Sequence, residues 1–127
     1  MHVIFAVSDV ARSKAFYQSV FEWPQNGRID YDDYVELHAP DGTLGLCERG
    51  TYARLTEATP ITPGNGDVSP AYLYVRVPDA QATVVKMGAA GARELAPLAG
   101  RSWGEEAAWF ADPDGNVVAV AQALPAE

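Results

Sequence analysis

The chain has 127 residues, the length of one domain with room for a buried core. Its formal charge of −8 argues against nucleic-acid binding, which needs lysines and arginines that displace counterions from phosphates. No apolar run reaches membrane-spanning length, and the N-terminus lacks the basic region and cleavage site of a signal peptide. The single cysteine, Cys47, excludes an internal disulfide, and we expect a cytoplasmic protein.

The first half of the chain begins with a strand and a helix. Residues 2–7 alternate apolar side chains between two faces, as a β-strand does. Ser8 and Asp9 then form a helix N-cap signal for a helix over residues 10–21. The helix stripe that we expect to be buried consists of Ala15, Phe16 and Val20.

Three further strands complete this half. Pro24 and the Asn26-Gly27 pair end the helical region, and Pro40-Asp41-Gly42 predicts a tight turn between two apolar runs. The predicted strands cover residues 28–31, 34–39 and 44–48. The first half therefore has the order β-α-β-β-β.

A second set of elements follows a proline- and glycine-rich segment over residues 50–70, which we interpret as a linker. A strand over residues 71–77 precedes a helix over residues 80–90, with Val84 and Met87 facing inward. A loop through Pro97 and Gly100 leads to a hairpin over residues 103–120.

The two halves repeat the same signals. Asp9 and Asp79 cap the two helices, and the Pro-Asp-Gly turn at Asp41 recurs at Asp114. We therefore predict one domain over 1–127 made of two βαβββ modules. Module one covers about residues 1–50, the linker about 50–70 and module two about 71–124.

These signals include VSDVARS, FY and VFEW within residues 7–23, and WG and FADPDGN within residues 103–116. In that order they resemble the vicinal oxygen chelate superfamily of glyoxalases, extradiol dioxygenases, fosfomycin-modifying enzymes and bleomycin-resistance proteins. The resemblance implies an α+β fold in which two tandem βαβββ modules form an eight-stranded curved sheet around a cleft. It also implies a homodimer.

The resemblance further implies four metal-ligand positions in the catalytic members. His2 matches the first position, but its counterpart in module two is Tyr72. The carboxylate positions on the last strands hold Ala119 and either Gly45 or Leu46. Since a metal site needs at least three converging donors, we expect no metal ion, no other cofactor and no catalytic residue. The alternative is a divalent metal on displaced ligands.

The displaced ligands would be His2, Glu36, His38 and Glu48. Strand alternation favours a set of aromatic and polar residues that face the cleft, and the fold that the resemblance implies places the loop residue Trp103 at the mouth of the cleft. The candidate ligand-binding residues are Tyr34, Glu36, His38, Cys47, Tyr72, Tyr74, Arg76, Trp103 and Glu106. We expect Cys47 to be an inert buried thiol and Trp109 to pack outward.

Large aromatic faces with a few polar groups suit a flat or cationic ligand. The sequence predicts metal-independent binding of an aromatic or cationic small molecule, as in antibiotic sequestration, with no nucleic-acid or membrane partner. One alternative is a metal-dependent lyase, isomerase or dioxygenase that uses the displaced ligands. A small structural or regulatory dimer without a pocket is the other.

Overall fold

The computed structural model describes residues 1–64 and 66–125 and forms two compact units, Met1–Thr62 and Pro63–Glu127. Each unit contains a four-stranded mixed sheet, so the predicted α+β fold with two tandem modules and eight strands is confirmed. No helix in these described ranges combines the length and apolar character needed to cross a membrane.

The first unit has the sheet order β1-β4-β3-β2, with β1 parallel to β4 and the other pairs antiparallel. Its elements are β1 (His2–Val7), α1 (Val10–Phe21), β2 (Gln25–Tyr31), β3 (Tyr34–Ala39), β4 (Gly42–Glu48) and α2 (Arg49–Thr56). β2 is longer than predicted and includes the Asn26-Gly27 pair, which pairs irregularly across a register shift.

Helix α1 begins at the predicted cap, because the Asp9 carboxylate accepts a hydrogen bond from the backbone N–H of Arg12 at 3.0 Å. Its buried residues are Val10, Ser13, Phe16, Tyr17 and Val20. The prediction for Ala15 is wrong, because Ala15 is exposed. At 100° per residue it lies about 160° from the centre of the buried stripe.

Helix α2 shows that the first part of segment 50–70, which we interpreted as a linker, is helical. The helix follows Glu48, whose carboxylate accepts hydrogen bonds from the backbone N–H groups of Gly50 and Thr51. These bonds hold the pKa of Glu48 below its ordinary value. Eight residues with no fully buried side chain produce too little apolar periodicity to mark a helix in the sequence.

The second unit repeats the topology with the order β5-β8-β7-β6. Its elements are β5 (Tyr72–Arg76), α3 (Ala80–Ala89), β6 (Arg93–Gly100), β7 (Glu105–Ala111) and β8 (Val117–Ala123). The predicted loop through Pro97 is wrong, because Pro97 lies within β6. β6 is an edge strand with two register shifts, a place where proline is tolerated. In α3, Met87 is buried as predicted and Val84 is half-buried.

The turn between β7 and β8 is closed by one buried carboxylate. Oδ1 of Asp112 accepts hydrogen bonds from the backbone N–H groups of Asp114 and Asn116, both at 2.9 Å. Gly115 has a φ of 83°, a conformation that favours glycine. The carboxylate therefore determines where β7 ends and how β8 pairs with it.

We expect Asp112→Ala to lower the free energy of unfolding by about 2 kcal/mol, because two backbone donors lose their acceptor. Chemical denaturation followed by circular dichroism would measure the change. The control is Asp41→Ala in the first hairpin, where the aspartate is exposed and the expected loss is below about 0.5 kcal/mol. Equal losses in the two variants would contradict this role of Asp112.

Candidate ligand-binding site

The first unit places five of the sequence-predicted residues on one face of its sheet. Strand pairing aligns them in three rows across β1, β4 and β3. The rows are His2–Thr43–His38, Ile4–Gly45–Glu36 and Ala6–Cys47–Tyr34. We call this surface the polar face.

Glu36 is the centre of the polar face. Its Oε2 accepts a hydrogen bond from the Tyr34 hydroxyl at 2.7 Å and lies 3.5 Å from Nδ1 of His2. The amide of Asn26 donates to Oε1 at 3.5 Å. Burial, and then the hydrogen bond to Glu36, raises the pKa of Tyr34, which keeps the phenol protonated.

Gly45 makes room for that phenol. A Cβ atom at Gly45 would lie 2.6 Å from the Tyr34 hydroxyl oxygen and 2.8 Å from Cγ1 of Ile4. No larger residue fits there while Tyr34 holds Glu36. The tyrosine therefore takes the space that a side chain from the last strand of this unit would need.

The other polar candidates lie apart from this centre. His38 is exposed, and the Glu48 carboxylate is engaged at the start of α2. Cys47 is 2 % exposed, and burial, followed by the carboxylates of Asp33 and Glu48, raises the pKa of its thiol. A thiol kept protonated in this way is a poor nucleophile.

The second unit places aromatic side chains on the equivalent face of its sheet. Pairing aligns Tyr74, Ala119 and Trp109 in one row, with Tyr72 in the next row. The ring centroid of Trp109 lies 6.0 Å from that of Tyr72, 6.5 Å from that of Tyr74 and 6.3 Å from that of Trp103. We call these four residues the aromatic face.

The aromatic face combines fixed and accessible rings. Tyr72 is 51 % exposed and Trp103 is 54 % exposed, whereas Tyr74 and Trp109 are half-buried. Perpendicular ring contacts of this kind add stability beyond the area that they bury. A planar molecule therefore has two open rings to contact, both supported by Trp109.

A series of hydrogen bonds orients two of these rings, those of Trp103 and Tyr74. Nε1 of Trp103 donates to the Tyr74 hydroxyl at 2.8 Å, and that hydroxyl donates to Glu105 at 2.8 Å. Arg76 completes the chain, with its Nε 2.7 Å from Oε2 of Glu105. The bonds from Arg76 first, and then from Tyr74, lower the pKa of Glu105, while burial raises the pKa of Tyr74.

Two residues differ from the sequence-based expectation. Glu105, and not the predicted Glu106, belongs to this hydrogen-bond chain, since Glu106 lies on the opposite face of β7 by strand alternation. Trp109, which we expected to pack outward, is the centre of the aromatic face. Trp109 pairs with Ala119 when residues are counted outward from the turn along the two strands of the hairpin. The sequence alone therefore contained the information that places Trp109 on this face.

The family model for the glyoxalase/bleomycin resistance protein/dioxygenase superfamily matches residues 1–120. The chain belongs to this superfamily. The membership confirms the resemblance drawn from the two motif stretches. No curated protein sequence matches the chain.

Solved structures agree with the membership. A glyoxalase/bleomycin resistance protein/dioxygenase family enzyme from Burkholderia phytofirmans PsJN has a TM-score of 0.84 and 21 % identity, covering 97 % of each chain. A glyoxalase-related enzyme from Fulvimarina pelagi has a TM-score of 0.82 and 17 % identity, covering 95 % of this chain and 85 % of its own. TioX from Micromonospora sp. ML1 has a TM-score of 0.71 and 21 % identity, covering 98 % of both chains. At these identities the similarity shows the fold alone.

The residues of this superfamily member do not fit the metal ion that the resemblance implies. The positions where the resemblance implies metal ligands hold Tyr72 and Ala119 in the second unit, and His2 and Gly45 in the first. Across residues 1–64 and 66–125, no three His, Cys, Asp or Glu side chains form a group that could hold a metal. The pair of His2 and Glu36 is one donor short of the three protein ligands of a catalytic zinc site.

We expect Gly45→Ala to lower the free energy of unfolding by about 2 kcal/mol, because the new methyl group displaces Tyr34. The cost falls when Tyr34→Phe is already present, since the closest oxygen is then absent. A double-mutant cycle based on denaturation measures this coupling. Additive losses would show that Tyr34 and Gly45 do not depend on each other.

The lowered pKa of Glu105 predicts a dependence of stability on acid. A carboxyl group with a folded pKa below its unfolded value of about 4.3 stabilises the fold above that pH, and the contribution is lost as the pH falls. We therefore expect Glu105→Gln to be less stable than the parent at pH 7, with the difference shrinking on acidification. Thermal unfolding across the pH range tests this. Glu106→Gln is the control, and a difference for Glu105→Gln that stays constant with pH would contradict the prediction.

Proposed function

We propose that this superfamily member binds a planar aromatic small molecule on the aromatic face, without a metal ion and without covalent chemistry. The observation that carries the proposal is the Trp109 cluster, in which the half-exposed rings of Tyr72 and Trp103 pack on Trp109 and Trp103 is also hydrogen-bonded. Antibiotic sequestration is the role we propose for such binding. We further propose that the chain acts in the cytoplasm as a homodimer, as the resemblance implies.

Energetics support an aromatic ligand. Covering about 100 Å² of apolar surface on Tyr72 and Trp103 contributes about 2.5 kcal/mol. The Trp103 ring is oriented before binding, because Tyr74 connects it to Glu105, and the Tyr72 ring packs edge-on against Trp109. Little side-chain entropy is therefore lost when a ligand binds.

Metal independence is supported by the residues at the four family positions. The side chains at Ala119 and Gly45 have no donor atoms, and the side chain of Tyr72 is a phenol, which is a poor metal ligand. Tyr34 also takes the space beside Gly45.

The 3.5 Å contact between His2 and Glu36 favours a second candidate, a metal-dependent lyase, isomerase or dioxygenase with displaced ligands. A third donor would have to come from His38, which lies two strands from His2 in the same row. Two strand spacings amount to about 10 Å, so the side chains of His2 and His38 would have to turn toward each other before both imidazoles could bind one ion.

We expect a naphthalene carboxamide or a naphthyl trimethylammonium salt to bind with one-to-one stoichiometry in calorimetric titration. Trp109→Leu should weaken this binding by about tenfold or more, because the supporting ring contacts are lost. The matched control is Trp23→Phe, a buried tryptophan of the first unit that stacks on Phe21. Equal weakening in both variants would indicate a general loss of structure.

The metal arm of the experiment uses elemental analysis after incubation with nickel, cobalt, zinc, manganese or iron(II). We expect substoichiometric metal throughout. A stoichiometric metal content that falls in the His2→Ala or Glu36→Gln variant would contradict the proposal and favour the metal-dependent candidate.

A further inference from the structure

Arg101 lies beside the aromatic face and is held rigidly there. Its Cζ is 5.0 Å from the ring centroid of Trp109. Its Nε and Nη2 groups donate to the carbonyl of Ala107 at 3.3 and 3.0 Å, and Nη2 also donates to the carbonyl of Pro97 at 2.8 Å. Its backbone N–H donates a hydrogen bond to the Glu105 carbonyl at 2.7 Å, at the start of the turn that contains Trp103.

The charge of Arg101 has no carboxylate partner within the described ranges of the chain. The side chain is half-buried, and its acceptors are neutral carbonyl oxygens. A guanidinium has five N–H donors, and the two on Nη1 of Arg101 have no acceptor in this described part of the protein. A partly desolvated charge of this kind is stabilised by an anion that reaches the free edge.

The second arginine beside the aromatic face, Arg76, differs from Arg101 because a carboxylate balances its charge. Arg76 lies 5.2 Å from the ring centroid of Tyr74, and its charge is balanced by Glu105. Among Arg76, Glu105 and Arg101, the charge of Arg101 is therefore the unbalanced one, although the whole protein has a net charge of −8. The rings of Tyr74 and Trp109 each already contact an arginine, and a cationic ligand on the open rings of Tyr72 or Trp103 would be repelled by Arg101.

We propose that the ligand of the aromatic face is a planar aromatic anion. Its ring stacks on Trp103 or Tyr72, and its carboxylate or sulfonate group accepts hydrogen bonds from Nη1 of Arg101. The inference depends on the proposed binding function and narrows the expected ligand from aromatic or cationic to aromatic and anionic. Arginine suits this role because the Nη1 end of its guanidinium can bond a carboxylate while its face stacks on a ring.

The test uses three naphthalene probes that share one ring system and differ in charge: a carboxylate, a carboxamide and a trimethylammonium. In calorimetric titration of the full chain, we expect the carboxylate to bind about tenfold more tightly than the carboxamide, with the trimethylammonium weakest. Arg101→Gln should abolish the difference between carboxylate and carboxamide, whereas Arg101→Lys should keep part of it. Arg28→Gln, the same charge change at an exposed residue of the first unit, should leave it unchanged.

The outcomes separate this inference from the function on which it depends. Failure of all three probes to bind would contradict the proposed function. Equal affinity for the carboxylate and the carboxamide, or tightest binding of the trimethylammonium, would overturn the inference and leave the function standing. If Arg101→Gln does not fold, the inference is tested by how the affinity of the parent protein for the carboxylate and carboxamide probes depends on ionic strength. A carboxylate preference that shrinks as ionic strength rises supports the inference, and a constant one contradicts it.

Discussion

The carboxylate of Asp112 is the constraint on which the second sheet depends. It holds the turn between β7 and β8 through two backbone hydrogen bonds, and the pairing of Trp109 with Ala119 follows from that turn. A slip of one residue would move Trp109 to the opposite face of the sheet, because side chains alternate along a strand. The aromatic face therefore exists only in this register.

The two units use the same strand geometry for different chemistry. The row Ile4–Gly45–Glu36 of the first unit corresponds to the row Tyr74–Ala119–Trp109 of the second. In both rows the middle residue is small, and a tyrosine hydroxyl near it is hydrogen-bonded to a glutamate. Gly45 and Ala119, at positions where the resemblance implies metal donors, thus lie beside hydrogen-bonded tyrosines in both units.

The two arginines beside the aromatic face differ in what balances their charge. Arg76 and Glu105 form a pair that orients Tyr74, and so contribute structure. Arg101 is bound by carbonyl oxygens and stacks on Trp109, which leaves its positive charge available to a ligand. An acidic protein can therefore present a local site for an anion, because contacts at a few ångströms outweigh a screened net charge.

Local patterns in the sequence determined most of the fold. The caps at Asp9 and Asp79 and the repeated Pro-Asp-Gly turns act between residues a few positions apart, so the two βαβββ modules were predictable. Helix α2 and edge strand β6 were missed because one is too short to show periodicity and the other pairs irregularly around Pro97. Strand alternation likewise placed Tyr72, Tyr74 and Arg76 together on one face.

Tertiary structure decided the composition of the site. The choice between Glu105 and Glu106 depends on a one-residue register, and the position of Arg101 depends on carbonyl groups of β6 and β7. These contacts join residues from separate strands, and no local propensity encodes them. The sequence by itself therefore determined the two-module fold of a superfamily member and the residue types at the positions where the resemblance implies metal donors. The folded chain decided which rings and charges meet, because hydrogen bonds between strands bring them together.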